Sequence, residues 1–135
     1  MTAALRAAVA YVLIVFAAGA VLGTLRTYLI APIVGESWAV LLELPIMLVI
    51  AWSASRTVID RSALPRRTGP AIAMGAAALA MLLVAEAGLS LLLGRSLAQH
   101  LELYSALPAR LGLMGQVVYA LFPLIQVQLA QSRRR

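Results

Sequence analysis

The sequence contains no cysteine and no lysine, a single histidine, and five acidic residues among 135. Without cysteine there are no disulfides, no thiolate chemistry and no iron–sulfur ligation. With His100 alone, a haem held by two histidines or a multi-histidine metal site cannot be built within one subunit. Neither a metal nor another cofactor is expected. Also missing are a nucleophile elbow, a Walker loop, an HExxH pair and a dinucleotide-binding glycine pattern. The serines and threonines sit at helix ends and in loops, with no base beside them. The sequence thus carries no signature of a particular reaction.

What is present in excess is apolar surface. The hydrophobic fraction is 63% and the mean hydropathy is +0.96. A soluble domain has about 45–50% apolar residues, and a water-soluble fold of this length could not hide the surplus. Four apolar runs cover residues 7–30, 38–55, 69–93 and 109–129. Each approaches or exceeds the roughly 20 residues that cross a hydrocarbon core as a helix. Helices are the expected form, because each backbone polar group must find its partner within the segment. The expected fold is all-α: a polytopic membrane protein forming a four-transmembrane-helix bundle in one domain, residues 1–135. Arg6 followed by an apolar stretch and Ala18-Gly19-Ala20 loosely fits a signal peptide. The run continues through Leu25, however, so a retained first helix is expected.

The ends of these runs carry local signals. Pro32 is expected to close the first helix, Ser37 to cap the second and Thr68 to cap the third. Pro70 falls in the third helix's first turn, and Gly94 marks that helix's end. Pro45 and Pro123 lie inside the second and fourth runs, with a kink expected at Pro45. Between the third and fourth runs, Leu97, Leu101, Tyr104 and Leu107 recur at helical spacing, and Ser96 with Gln99 spells a capping box. A short amphipathic helix over residues 96–106, lying in the membrane interface, is expected.

All eleven basic residues are arginine. Together with abundant Ala and Leu, this composition points to a bacterial protein and an inner-membrane location. Eight of the arginines group on one side: Arg6, then Arg56, Arg61, Arg66 and Arg67 in the loop, then Arg133, Arg134 and Arg135 in the tail. Arg26, Arg95 and Arg110 remain for the other side. The positive-inside rule accordingly puts both termini in the cytoplasm. Trp38, Tyr28 and Tyr104 then fall near the outer interface, and Trp52 and Tyr11 near the inner one. The loop and tail arginines are expected at anionic lipid headgroups. The net charge of +6 is therefore assigned to the membrane and not to nucleic acid.

Glu43 and Glu86 are the residues that point furthest toward function. A carboxylate at membrane depth is costly and is normally paired or functional. At 1.5 Å per residue, Glu43 lies ~9 Å and Glu86 ~12 Å below the outer ends of their helices. Both are thus expected in one outer-leaflet layer. Arg26, one to two turns below the same surface, is placed to join them, and Gln116 of the fourth run to complete a ring. Such a cluster would bind an ion, a proton or a small cationic group, or else lock the helices together. Gly19 with Gly23, and Ala73, Ala76, Ala77 and Ala80, offer small surfaces for close helix packing, expected mainly inside the bundle. His100, Gln126 and Gln128 are expected at the interfaces.

A transport-related or accessory protein is the leading expectation, acting as a homo-oligomer or as a subunit of a larger membrane complex. A membrane enzyme acting on a lipid or quinone headgroup at the outer interface is the alternative.

Overall fold

A computed structural model describes residues 2–135 of the chain. Among these residues every regular element is helical. Helix α1 spans Ala3–Leu25, continues as a π-helical turn over Arg26–Ile30, and ends in a short α2, Ala31–Val34. Helix α3 is Glu36–Arg61 and α4 is Thr68–Leu92. The short α5, Leu97–Glu102, passes through a 3-10 turn, Leu103–Ser105, into α6, Leu107–Ser132. Four stretches, Ala3–Val34, Glu36–Arg61, Thr68–Leu92 and Leu107–Ser132, are long and apolar enough to cross a membrane. Large apolar side chains far from the helix ends face outward, Val84 at 72% and Val49 at 67% exposure among them. That pattern suits lipid and not water.

Pro32 does not close the first helix. The Ala31 N–H bonds back to the Arg26 carbonyl, five residues earlier, which opens the helix by one residue ahead of the proline. The wider turn relieves the clash a proline ring makes with the carbonyl four residues before it. Gly35, at φ +88°, ends the run instead. It also precedes α3 directly, so Ser37 lies inside that helix and caps nothing. Thr68 likewise opens α4 without a side-chain cap, the capping position being Arg67. Two end signals hold as read. At the end of α4, Gly94 has φ +91° while Arg95 N–H reaches Ser90 O and Gly94 N–H reaches Leu91 O, which is a Schellman motif. At the start of α5 both bonds of the Ser96–Gln99 capping box are formed.

The packing places α1 against α3 and α4, and α6 against the same two. Helices α1 and α6 therefore stand on one diagonal of the bundle, α3 and α4 on the other. The α3–α4 loop crosses the end of the bundle, with Leu64 buried beneath it. Gln131 Nε2 donates to Arg66 O (2.9 Å), which ties the end of α6 to this loop. Both termini and the loop thus share one end; Gly35 and α5 lie at the other.

The closest approaches are not made by the expected small residues. A Cβ on Gly75 would collide with the Ala120 carbonyl, so α4 and α6 touch backbone to backbone there. A Cβ on Gly115 would lie 2.7 Å from Leu44 Cδ1 of α3. Gly19 meets only the tip of Met47, and Gly23 only the Arg26 side chain. Of the four alanines expected to pack, Ala77 lies against the core while Ala73, Ala76 and Ala80 face outward, because the face of α4 turned inward is Ala71, Met74, Gly75, Ala78 and Leu82.

The half near the termini is held by polar contacts within the bundle. Tyr11 is fully buried and stacks on Tyr119 (4.3 Å between rings). Gln126 Nε2 donates to Trp52 O (2.9 Å) and its Oε1 accepts from Ser55 Oγ (2.8 Å).

Candidate functional site

Arg26, Glu43, Glu86 and Gln116 all lie in the half of the bundle away from the termini, but they form two pairs and not one ring. Arg26 Nε lies 3.0 Å from Glu43 Oε2. Gln116 Nε2 donates to Glu86 Oε1 (2.6 Å). Among the described residues no hydrogen bond or ion pair joins one pair to the other. The reason is the diagonal arrangement. Glu43 is on α3 and Glu86 on α4, and these helices do not pack together. Each carboxylate instead finds a partner on a neighbouring element: Arg26 in the π turn for Glu43, Gln116 in α6 for Glu86.

The two pairs differ in chemistry. Arg26–Glu43 is charge-compensated, its side chains 32% and 16% exposed. Arg26 opens the π turn that Pro32 requires, so the same local distortion that admits the proline places the guanidinium beside α3. Glu86 has a neutral partner. Around it stand further polar groups, of which Ser90 and His100 were not expected beside it. Ser90 follows Glu86 by four residues and so shares its helix face; it is buried, with its Oγ unpartnered. His100 of α5 is buried rather than solvated; its Nδ1 is unpartnered and its ring is within electrostatic reach of the Glu86 carboxyl. Gln116 Oε1, the other end of the amide that serves Glu86, is also buried without a partner. Tyr104 meets His100 edge to face at 5.7 Å. Burial pushes the Tyr104 phenol above the ordinary tyrosine range, and the neighbouring Glu86 carboxylate pushes it the same way.

Helix α5 supplies His100, and the 3-10 turn after it Tyr104, because of the way this segment's amphipathic pattern faces. Leu97, Leu101 and Leu107 point outward at 57–59% exposure, and His100 points in. Leucine spacing alone finds the helix; only the packing shows that its polar residue is the one facing the bundle. The signal available for Ser90 was its four-residue spacing from Glu86. For His100 none was available, since its neighbour across space comes from another helix.

Among the described residues no group of three or more His, Asp or Glu side chains is placed to hold a metal ion. The site's chemistry is that of one carboxylate, one imidazole and neutral hydrogen-bonding groups. These could hold a proton or a small cationic group.

The loop and tail arginines sit at the opposite end. Arg66 pairs with Asp60 (2.7 Å). Arg6 and Arg61 line a cavity of about 460 Å³ between α1 and α3, and Arg56, Arg66, Arg133 and Arg134 line another of about 350 Å³. Arg67 and Arg135 are exposed and line neither. Comparison with protein-family models, characterised proteins and solved structures finds no match for this chain.

Proposed function

We propose that this chain is a small transport-related protein of a bacterial inner membrane, with both termini cytoplasmic, in which Glu86 binds a proton or small cation. The observation that carries the reading is the partner choice of Glu86. A carboxylate within a membrane-length helix is a functional candidate by default, with its partner to be named. Here the nearby cation, Arg26, is engaged by Glu43, and Glu86 is left with the neutral Gln116 amide and a set of buried, unpartnered polar atoms. Arg26–Glu43 acts as the clamp between the first span and α3. Four helices leave little room for a path of their own, so the working form is a homo-oligomer or a subunit of a larger complex.

The test is flux in proteoliposomes carrying an entrapped pH dye or an alkali-cation dye. The wild type is expected to dissipate an imposed gradient, and Glu86→Gln to abolish that while keeping the fold. Glu43→Gln should weaken stability more than flux. If the wild type is inert and instead co-purifies with a larger complex from native membranes, the chain is an accessory protein and the Glu86 reading falls. The alternative, an enzyme acting on a lipid or quinone headgroup, is favoured by one feature: an acid, an imidazole and a phenol (Glu86, His100, Tyr104) gathered beneath α5. Turnover of a headgroup by purified protein, lost in His100→Gln, would select it.

A further inference from the structure

Four of the seven loop and tail arginines converge on one cavity, although they come from three different stretches of chain. Arg56 lies in the penultimate turn of α3, Arg66 in the α3–α4 loop, and Arg133 and Arg134 follow α6. The cavity, about 350 Å³, also has Asp60 at its edge. Arg66 is committed: its Nη2 is held by Asp60 Oδ1 at 2.7 Å, and its carbonyl accepts from Gln131. Arg56, Arg133 and Arg134 make no ion pair among the described residues. The floor is neutral and already satisfied. Gln126 uses both ends of its amide on Trp52 O and Ser55, and Ile59 and Val127 are buried apolar residues. Four arginines lining one cavity, three of them without an acidic partner among the described residues, supply the positive charge and the paired N–H donors with which arginine binds phosphate.

We propose that this cavity is a specific site for the phosphate of an anionic phospholipid headgroup. Two features favour a lipid over a soluble phosphate. The cavity lies at the ends of membrane-length helices, where headgroups lie. Leu129, exposed on α6, sits one helical turn before Arg133 on the same face, so an acyl chain can follow the helix from the phosphate downward. Basic pockets between spanning helices are a known mode of headgroup recognition. The inference stands on the arginine cavity alone and does not depend on the Glu86 reading.

The test is thermal unfolding of the purified full chain in neutral detergent, with added phosphatidylglycerol, phosphatidylcholine or inorganic phosphate. Phosphatidylglycerol is expected to raise Tm by about 5 °C, as ligand binding to the native state does, and phosphatidylcholine is not. The double variant Arg133→Gln/Arg134→Gln, and Arg56→Gln independently, should lose most of that rise while eluting as the wild type does. The charge-matched Arg6→Gln/Arg67→Gln, at the same end but outside the cavity, should retain it. Equal loss in the charge-matched control would mean diffuse attraction and overturn the site. An equal rise with inorganic phosphate would overturn the lipid assignment in favour of a soluble anion.

Discussion

The Tyr11 phenol donates a 2.9 Å hydrogen bond to the backbone carbonyl of Tyr119, a residue 108 positions away on the diagonally opposite helix. That carbonyl would ordinarily accept from the N–H four residues on, but the residue there is Pro123, which has none. Pro123 is fully buried, so water cannot take the place of the missing donor. Tyr11 supplies it, and the stacked rings hold the phenol in place. The bond thus answers a specific deficit in the α6 backbone.

Tyr11→Phe is therefore expected to destabilise the bundle by about 1–3 kcal/mol, the range for an orphaned buried acceptor. Pro123→Ala restores the N–H and should reduce that loss in the double variant. Tyr119→Phe should be near neutral on this count, since the Tyr119 hydroxyl has no partner to lose. Reversible unfolding in mixed micelles measures all four, and additive effects of Tyr11→Phe and Pro123→Ala would refute the link.

Gly75→Ala should separate α4 from α6, because the new methyl meets the rigid Ala120 carbonyl. Overpacking of this kind costs typically 1–3 kcal/mol. Gly115→Ala meets only the tip of the Leu44 side chain and should cost less. Gly88→Ala meets nothing within 4 Å and should be neutral or mildly stabilising, by up to about 1 kcal/mol from helix propensity. The ordering of the three melting temperatures is the check.

Arg26→Gln or Glu43→Gln alone leaves a partly buried charge without its partner, whereas the double variant removes both. A double-mutant cycle should give a favourable coupling of about 1 kcal/mol, moderated by water access to Arg26. A coupling near zero would remove the clamp role. Glu86→Gln should show no comparable coupling to Arg26→Gln, because no bond joins them.

Tyr104 provides a pH-dependent readout. Burial and the Glu86 carboxylate both favour the neutral phenol in the fold. Its contribution to stability is therefore fully present below the ordinary tyrosine value of about 10. It is lost as the pH rises through the higher value in the folded protein. Tyrosinate absorbance during alkaline titration should show a late-ionising tyrosine that Tyr104→Phe removes. Glu86→Gln should bring that ionisation to lower pH; an unchanged titration would mean that the two groups do not face each other.

Much of the architecture follows from local chemistry. The four apolar runs appear as four membrane-length helices, the Gly94 terminus and the Ser96 capping box form as read, and Glu43 and Glu86 lie in the same half of the bundle. These are short-range properties: a left-handed glycine, a reciprocal side-chain bond, a fixed rise per residue. The departures are of two kinds: local signals overridden by a local competitor, and faces whose partner lies on another helix. Ser37 and Thr68 are competent caps that the chain does not use. Pro32 looked like a stop until a π turn absorbed it. Of Ala73, Ala76, Ala77 and Ala80, read as a packing face, only Ala77 lies against the core, while Gly75 and Gly115, isolated glycines in the sequence, make the tight contacts.

By itself, then, the sequence determined that four helices are long and apolar enough to cross a membrane, roughly where each begins and ends, and which half of the bundle holds Glu43 and Glu86. Only the tertiary structure decided who meets whom. With α3 and α4 on a diagonal, the expected three-charge cluster divides into an ion pair, Arg26–Glu43, and a lone acid, Glu86, with a neutral amide. The same packing buries His100 and gathers arginines from three segments into one cavity. Helix periodicity specifies faces, but in lipid the choice of partner for each face rests on close packing and polar pairing between helices. Those contacts join residues distant in sequence, and no local pattern encodes them.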